Sequence, residues 1–140
     1  MSEKLKCILL VDDDDDCNFF HKRLIAKLDC AEHVEVCTNG IEALEYLTQR
    51  MERGYPRPEL IFLDINMPKM NGWEFLEKYK TLDPDQKAEM LVVMLTTSLN
   101  PDDRSRADSN DDVHAFANKY LDKSKLQLIL EKNFPQLFSE

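Results

Sequence analysis

The chain has 140 residues, 43% of them hydrophobic and 32% charged, and a formal charge of −9. That length suits one domain, and that composition suits a packed core in water rather than a disordered or fibrous chain. The acid excess excludes a nucleic-acid backbone binder, which needs clustered Lys and Arg, and no apolar stretch is long enough to span a bilayer, so neither nucleic acid nor membrane is expected as a partner.

Lys6-Cys7-Ile8-Leu9-Leu10-Val11 is an apolar run that ends in five aspartates, Asp12 to Asp16, the pattern of a strand buried on both faces. Phe20, Leu24 and Leu28 recur at helical spacing and predict a first amphipathic helix, with Asp14 to Asp16 favouring its positive N-terminal end. His33 to Cys37 alternates as a shorter strand. Asn39-Gly40 is a turn signal, and Ile41, Leu44, Leu47 and Met51 then share one helical face until Gly54, Pro56 and Pro58 break it. Leu60-Ile61-Phe62-Leu63-Asp64 is a third strand that ends on a carboxylate, and a loop from Ile65 to Gly72 leads to a helix marked by Trp73, Leu76 and Tyr79. Asp83-Pro84-Asp85 links to a fourth strand, Met90 to Leu95, followed by Thr96-Thr97-Ser98. Asn100-Pro101-Asp102-Asp103 reads as a helix start with acids in its first turn. Val113 to Ala117 makes a short fifth strand, and Leu126, Ile129 and Leu130 lie on one face of a last helix.

Strand and helix alternate five times, which predicts an α/β fold: a flavodoxin-like, doubly wound, five-stranded parallel sheet with helices on both faces. Such sheets bind ligands at the carboxyl ends of their strands. Asp12, Asp13, Asp64, Thr96 and a lysine after the fifth strand should therefore converge. Carboxylates gathered in a partly buried pocket repel unless a cation compensates them, and an all-oxygen donor set selects a hard ion, Mg²⁺ before Ca²⁺. A hydroxyl and an ammonium beside that ion supply what a phosphoryl group needs, and a carboxylate can itself be the nucleophile. The four cysteines, Cys7, Cys17, Cys30 and Cys37, lack metal-type spacing and read as small buried hydrophobes. His21, His33 and His114 are scattered and read as structural or surface residues.

Four motifs lie in order at fitting separations: Leu9-Leu10-Val11-Asp12-Asp13, Leu63-Asp64-Ile65-Asn66-Met67-Pro68-Lys69-Met70-Asn71-Gly72, Val93 to Ser98, and Phe116-Ala117-Asn118-Lys119. With them the chain resembles the receiver domains of two-component response regulators, from Lys6 to about Phe134. The resemblance implies a stand-alone receiver over residues 1–140 (core about 6–134) with no output domain, similar to the chemotaxis regulators and cytoplasmic. It implies a phosphoacceptor signalling module rather than an enzyme with a separate substrate.

By that resemblance Asp64 accepts a phosphoryl group from a histidine kinase or histidine phosphotransfer protein. Asp13, Asp64 and the Asn66 carbonyl hold Mg²⁺, with Asp12 acting through water. Thr96 and Lys119 bind phosphoryl oxygens, Phe116 is the aromatic switch partner of Thr96, and Asn66 and Ser98 tune dephosphorylation. Output to a downstream protein partner would run through a surface from about Asp102 to Phe134. Lys123, in Tyr120-Leu121-Asp122-Lys123, offers a competing register for Lys119. The family usually has proline after the lysine, joined by a cis bond; here Tyr120 stands there, and a trans bond is expected because a non-proline cis bond costs about 3–4 kcal/mol. Thr97 stands where the family often has a smaller side chain. A module that binds partners without cycling phosphate, a Mg²⁺-dependent phosphohydrolase and a flavin site remain as other readings; Asn66 stands where the hydrolases carry a second aspartate.

Overall fold

A computed structural model describes residues 4–50, 54–67, 69–87, 91–96, 101–119 and 121–135. Five strands, β1 (Leu5–Val11), β2 (Ala31–Cys37), β3 (Leu60–Asp64), β4 (Leu91–Thr96) and β5 (Ala115–Asn118), form one parallel sheet in the order β2-β1-β3-β4-β5. Between and after them run α1 (Asp15–Leu28), α2 (Gly40–Thr48), α3 (Gly72–Tyr79), α4 (Pro101–Asp108) and α5 (Lys123–Asn133), with a 3-10 turn at Pro84–Gln86. The expected doubly wound α/β sheet is the one observed.

Alternate residues of the three inner strands feed two cores, one on each face of the sheet. Leu10, Phe62, Val93 and Leu95 pack with Leu24, Ile25, Leu126 and Leu130 of α1 and α5. Val11, Ile61, Leu63 and Met94 pack on the other face with Ala43, Leu47, Trp73, Leu76 and Ala107 of α2, α3 and α4. Burial on both faces is why β1 and β3 read as continuous apolar runs without alternation. The edge strand β2 is only half-buried over most of its length.

Two helical faces differ from the sequence expectation. Phe20 is 43% exposed, and α1 turns Cys17, Asn18, His21, Leu24 and Ile25 inward instead. Ile41 is 41% exposed, and α2 buries Ala43 and Leu47, with Leu44 half-buried; Met51 lies outside the described residues. In both helices apolar residues are dense enough to draw two overlapping stripes, and the small or weakly polar residues Cys17, Asn18 and Ala43 lie on the buried one. The fifth strand also begins later than expected, at Ala115, after Val113. The weak amphipathicity of α4 has a plain cause: among its residues only Ala107 is buried.

Each loop at the carboxyl end of β1, β2, β3 and β5 closes on an Asp or Asn that caps the next helix. Asp14 accepts from the Asp16 and Cys17 amides, Asn39 from Glu42, Asn71 from Glu74 and Asp122 from Lys125. Such a cap is worth about 1 kcal/mol, and it sets where the loop stops. Among the described residues no helix is long and apolar enough to cross a membrane.

Candidate functional site at the carboxyl ends of the strands

Strand register assembles the site. Val11 lies opposite Leu63, so Asp12 and Asp64 leave neighbouring strands at one level. Asp64 lies opposite Leu95, and Thr96 lies opposite Asn118. The Lys119 amide donates to the Thr96 carbonyl at 2.9 Å, the last ladder bond of β5, which brings Lys119 to the same edge. This is also where the chain reverses direction across the sheet, with β2 on one side of β1 and β3 on the other.

Carboxylate oxygens of Asp12, Asp13 and Asp64 lie within 4.8 Å of one another. Asp12 and Asp64 are buried at 4% exposure each, whereas Asp13 is exposed. Asp12 is oriented by its own turn, since its Oδ1 accepts the Asp14 amide at 3.0 Å. The Lys119 ammonium sits 2.6 Å from Asp12 Oδ2 and 3.3 Å from Asp64 Oδ1. That contact decides between the competing lysines: Lys119 enters the acidic cluster, and Lys123 is the exposed first residue of α5.

Charge is not balanced here. Among the described residues three carboxylates face one ammonium, leaving an excess of negative charge at a site where two of the carboxylates, Asp12 and Asp64, are buried. Burial, and then the Asp12 charge, push the Asp64 carboxyl up to about 6, while Lys119 works against the rise and loses. Burial pulls the Lys119 ammonium down, but its hydrogen bond to Asp12 and the Asp12 and Asp64 charges more than offset this, so it stays protonated. A divalent cation would supply the missing charge, and three clustered carboxylates without His or Cys are the donors of a hard ion. Asp12, Asp13 and Asp64 could therefore hold such an ion. The Asn66 carbonyl is two residues beyond Asp64 in an exposed stretch of the same loop.

An acid that binds its proton more tightly folded than unfolded lowers stability as pH rises from about 4 through 6, and the penalty persists above. In chelator, Asp64→Asn should thus melt higher than the unsubstituted protein, by a margin that grows from pH 4 to pH 7. Adding Mg²⁺ should close the margin, because only the carboxylate form gains the ion. Thermal melts across that range check both; a margin that does not change with pH counts against the charge imbalance.

Thr96 is fully buried, and strand register puts it on the same face as Phe116, which lies opposite Met94. Phe116 is half-buried against the α3–α4 side of the sheet, and the Arg104 guanidinium lies 5.6 Å from its ring centroid. Trp73 is buried one residue after Gly72, whose amide donates to the Ile65 carbonyl at 2.7 Å and so ties α3 to the strand carrying Asp64. Of the sequence candidates, Ser98 lies outside the described residues, as do Thr97 and Tyr120 and with it the expected trans bond after Lys119. Sequence reasoning missed the polar inner face of α1. Asn18 donates to the Asp12 carbonyl at 2.8 Å, and His21 accepts the Leu121 amide at 3.2 Å. Only their helical spacing from Leu24 and Ile25 could have hinted that they face inward.

Comparison with known proteins follows the same lines. Residues 8–131 match the family described as the response regulator receiver domain. Response regulator Rcp1 from Synechocystis is 37% identical over 99 residues, 70% of this chain and 66% of Rcp1, just under two thirds of that relative's length. A crystal structure of a two-component response regulator from Cytophaga hutchinsonii superposes with a TM-score of 0.81 at 28% identity, covering 99% of this chain and all of that one. The Mn²⁺-bound form of Rcp1 superposes with a TM-score of 0.70 at 32% identity, covering 91% and 92% of the two chains. The phosphorylated cyanobacterial phytochrome response regulator RcpA gives 0.72 at 32% identity, covering 91% and 90%.

Proposed function

Because the chain belongs to the response regulator receiver domain family, we propose that it is a phosphoacceptor signalling module in which Asp64 takes a phosphoryl group with the help of Mg²⁺. The observation that carries this reading is the meeting of Asp12, Asp13 and Asp64 with the Lys119 ammonium at one edge of the sheet. That set offers a nucleophile, a place for a hard divalent cation and a fixed positive charge. Metal binding by Rcp1 and phosphorylation of RcpA, as their structures are described, support the same use of this fold.

In the proposed step an Asp64 oxygen attacks the phosphorus of a phosphohistidine on a histidine kinase or phosphotransfer protein. The P–N bond breaks as the P–O bond forms, the imidazole leaves, and Asp64 becomes an acyl phosphate. Bound Mg²⁺, held by Asp13 and Asp64 with the Asn66 carbonyl, would neutralise charge on the phosphoryl oxygens. Lys119 would exchange its carboxylate partners for a phosphoryl oxygen, and the Thr96 hydroxyl would donate to another. Asn66, exposed two residues beyond Asp64, would tune the lifetime of the acyl phosphate.

Phosphorylation would shift a two-state equilibrium through Thr96 and Phe116 towards the surface of α4, β5 and α5, from about Asp102 to Phe134, where a protein partner reads it. Exposed Leu128 on α5 lies in that surface. Titration with beryllofluoride in Mg²⁺, followed by Trp73 fluorescence, tests the reading. Saturable binding that needs Mg²⁺ is expected, and Lys119→Ala should weaken it by roughly tenfold or more, the scale of a lost charge-assisted hydrogen bond. No response with Mg²⁺, or an unchanged response in Lys119→Ala, would refute it.

A further inference from the structure

We propose that His21 is a positioning residue for Lys119: its Nε2 holds the Leu121 amide and so fixes the backbone two residues beyond the lysine that presents its ammonium to a bound phosphoryl group. The inference rests on the reading of Lys119 as a phosphoryl ligand given above.

Lys119 is the first residue after β5. Its own amide is pinned to the Thr96 carbonyl at 2.9 Å, and only two residues separate it from Asp122, the cap of α5. The residue between Lys119 and Leu121 is Tyr120, which has no pyrrolidine ring to fix its φ. Leu121 supplies the amide and α1 supplies the acceptor: Leu121 N–H to His21 Nε2 spans 3.2 Å between residues that are 2% and 3% exposed. The bond joins positions a hundred residues apart in the chain, so it is tertiary rather than local.

The ring is set up for this role. An accepting Nε2 leaves the proton of a neutral imidazole on Nδ1, and Nδ1 lies 3.6 Å from the Cys17 sulfur one turn earlier. The buried Cys17 sulfur is thus placed to receive the Nδ1 proton. Burial is also the chief reason that the His21 pKa is lowered, which keeps the Nε2 lone pair available near neutral pH.

The same face of α1 braces a second loop, since Asn18 Nδ2 donates to the Asp12 carbonyl at 2.8 Å. One helix thus holds the backbone beneath both Asp12 and Lys119, whose side chains meet at 2.6 Å. A lysine has a long, rotamer-rich stem, and the entropy lost on fixing its ammonium falls when the backbone below it is already fixed.

The test separates Mg²⁺ from the phosphoryl mimic. His21→Leu keeps the buried volume and removes the acceptor; His21→Gln restores an acceptor at about the Nε2 position. His21→Leu should weaken beryllofluoride binding in saturating Mg²⁺ by roughly five- to tenfold, the scale of one lost buried hydrogen bond. Its Mg²⁺ affinity, measured without beryllofluoride, should stay within about twofold, because Asp12, Asp13 and Asp64 are untouched. His21→Gln should recover most of the loss. Equal loss of both ligands, unchanged beryllofluoride binding in a folded His21→Leu, or no rescue by glutamine would overturn the proposal. Failure of the Lys119 reading shows separately, as unsubstituted protein that ignores beryllofluoride or a Lys119→Ala variant that binds it normally.

Discussion

Asp64→Ala should end phosphorylation altogether. Incubated with acetyl phosphate and Mg²⁺, the unsubstituted protein should gain one phosphoryl group by intact-mass measurement, and the variant should gain none. The magnitude follows from the chemistry, because the substitution removes the atom that forms the new P–O bond rather than weakening a contact to it. The twelve Asp residues outside the pocket are no substitute; within it, Asp12 already lies 2.6 Å from Lys119 and its Oδ1 accepts the Asp14 amide. The variant should fold at least as well as its parent near neutral pH, since it relieves the crowding that raises the Asp64 carboxyl to about 6. An undiminished gain in the variant would move the acceptor elsewhere and sink the assignment.

The second large effect comes from a residue without a side chain. A Cβ on Gly72 would stand 2.5 Å from the Asp64 carbonyl oxygen and 2.9 Å from the Ile65 Cα. Both neighbours are backbone, so no rotamer change relieves the clash; either α3 or the end of β3 must move. Gly72→Ala should therefore cost about 2–4 kcal/mol, the range of overpacked or strained sites, and lower the melting temperature by roughly 6–15 °C. The displaced backbone is that of the proposed phosphoacceptor, Asp64, so the phosphorylation rate of the folded variant should fall as well. A melt within about 1 °C of the parent, on the scale of an ordinary surface change, would show that the helix can shift without cost.

Much of this molecule was legible in advance, and the reasons differ by residue. Asp64 stood out because a carboxylate closing a run as apolar as Leu60 to Leu63 has few structural explanations. The convergence of Asp12, Asp64, Thr96 and Lys119 followed from topology alone, because parallel strands deliver their carboxyl ends to one edge. What was not legible is orientation. Phe20 and Ile41 were assigned inward by hydrophobicity, yet both are exposed, because Cys17, His21 and Ala43 compete for the same helices and win the buried side. Lys119 was preferred over Lys123 because Phe116 stands three residues before it, and the structure brings Lys119 to Asp12 and Asp64; the anchoring of Leu121 by His21, in contrast, joins segments too distant for any local pattern to reveal.

The cysteines carry a consequence beyond packing. All four are free and buried, and burial pushes the Cys17, Cys30 and Cys37 thiols up to between about 11 and 12. Thiolate is the form that peroxides and electrophiles attack, and these sulfurs offer almost none of it at neutral pH. While the chain is folded, these thiols should therefore react with peroxide or alkylating agents only slowly, at a rate set by local opening of the fold.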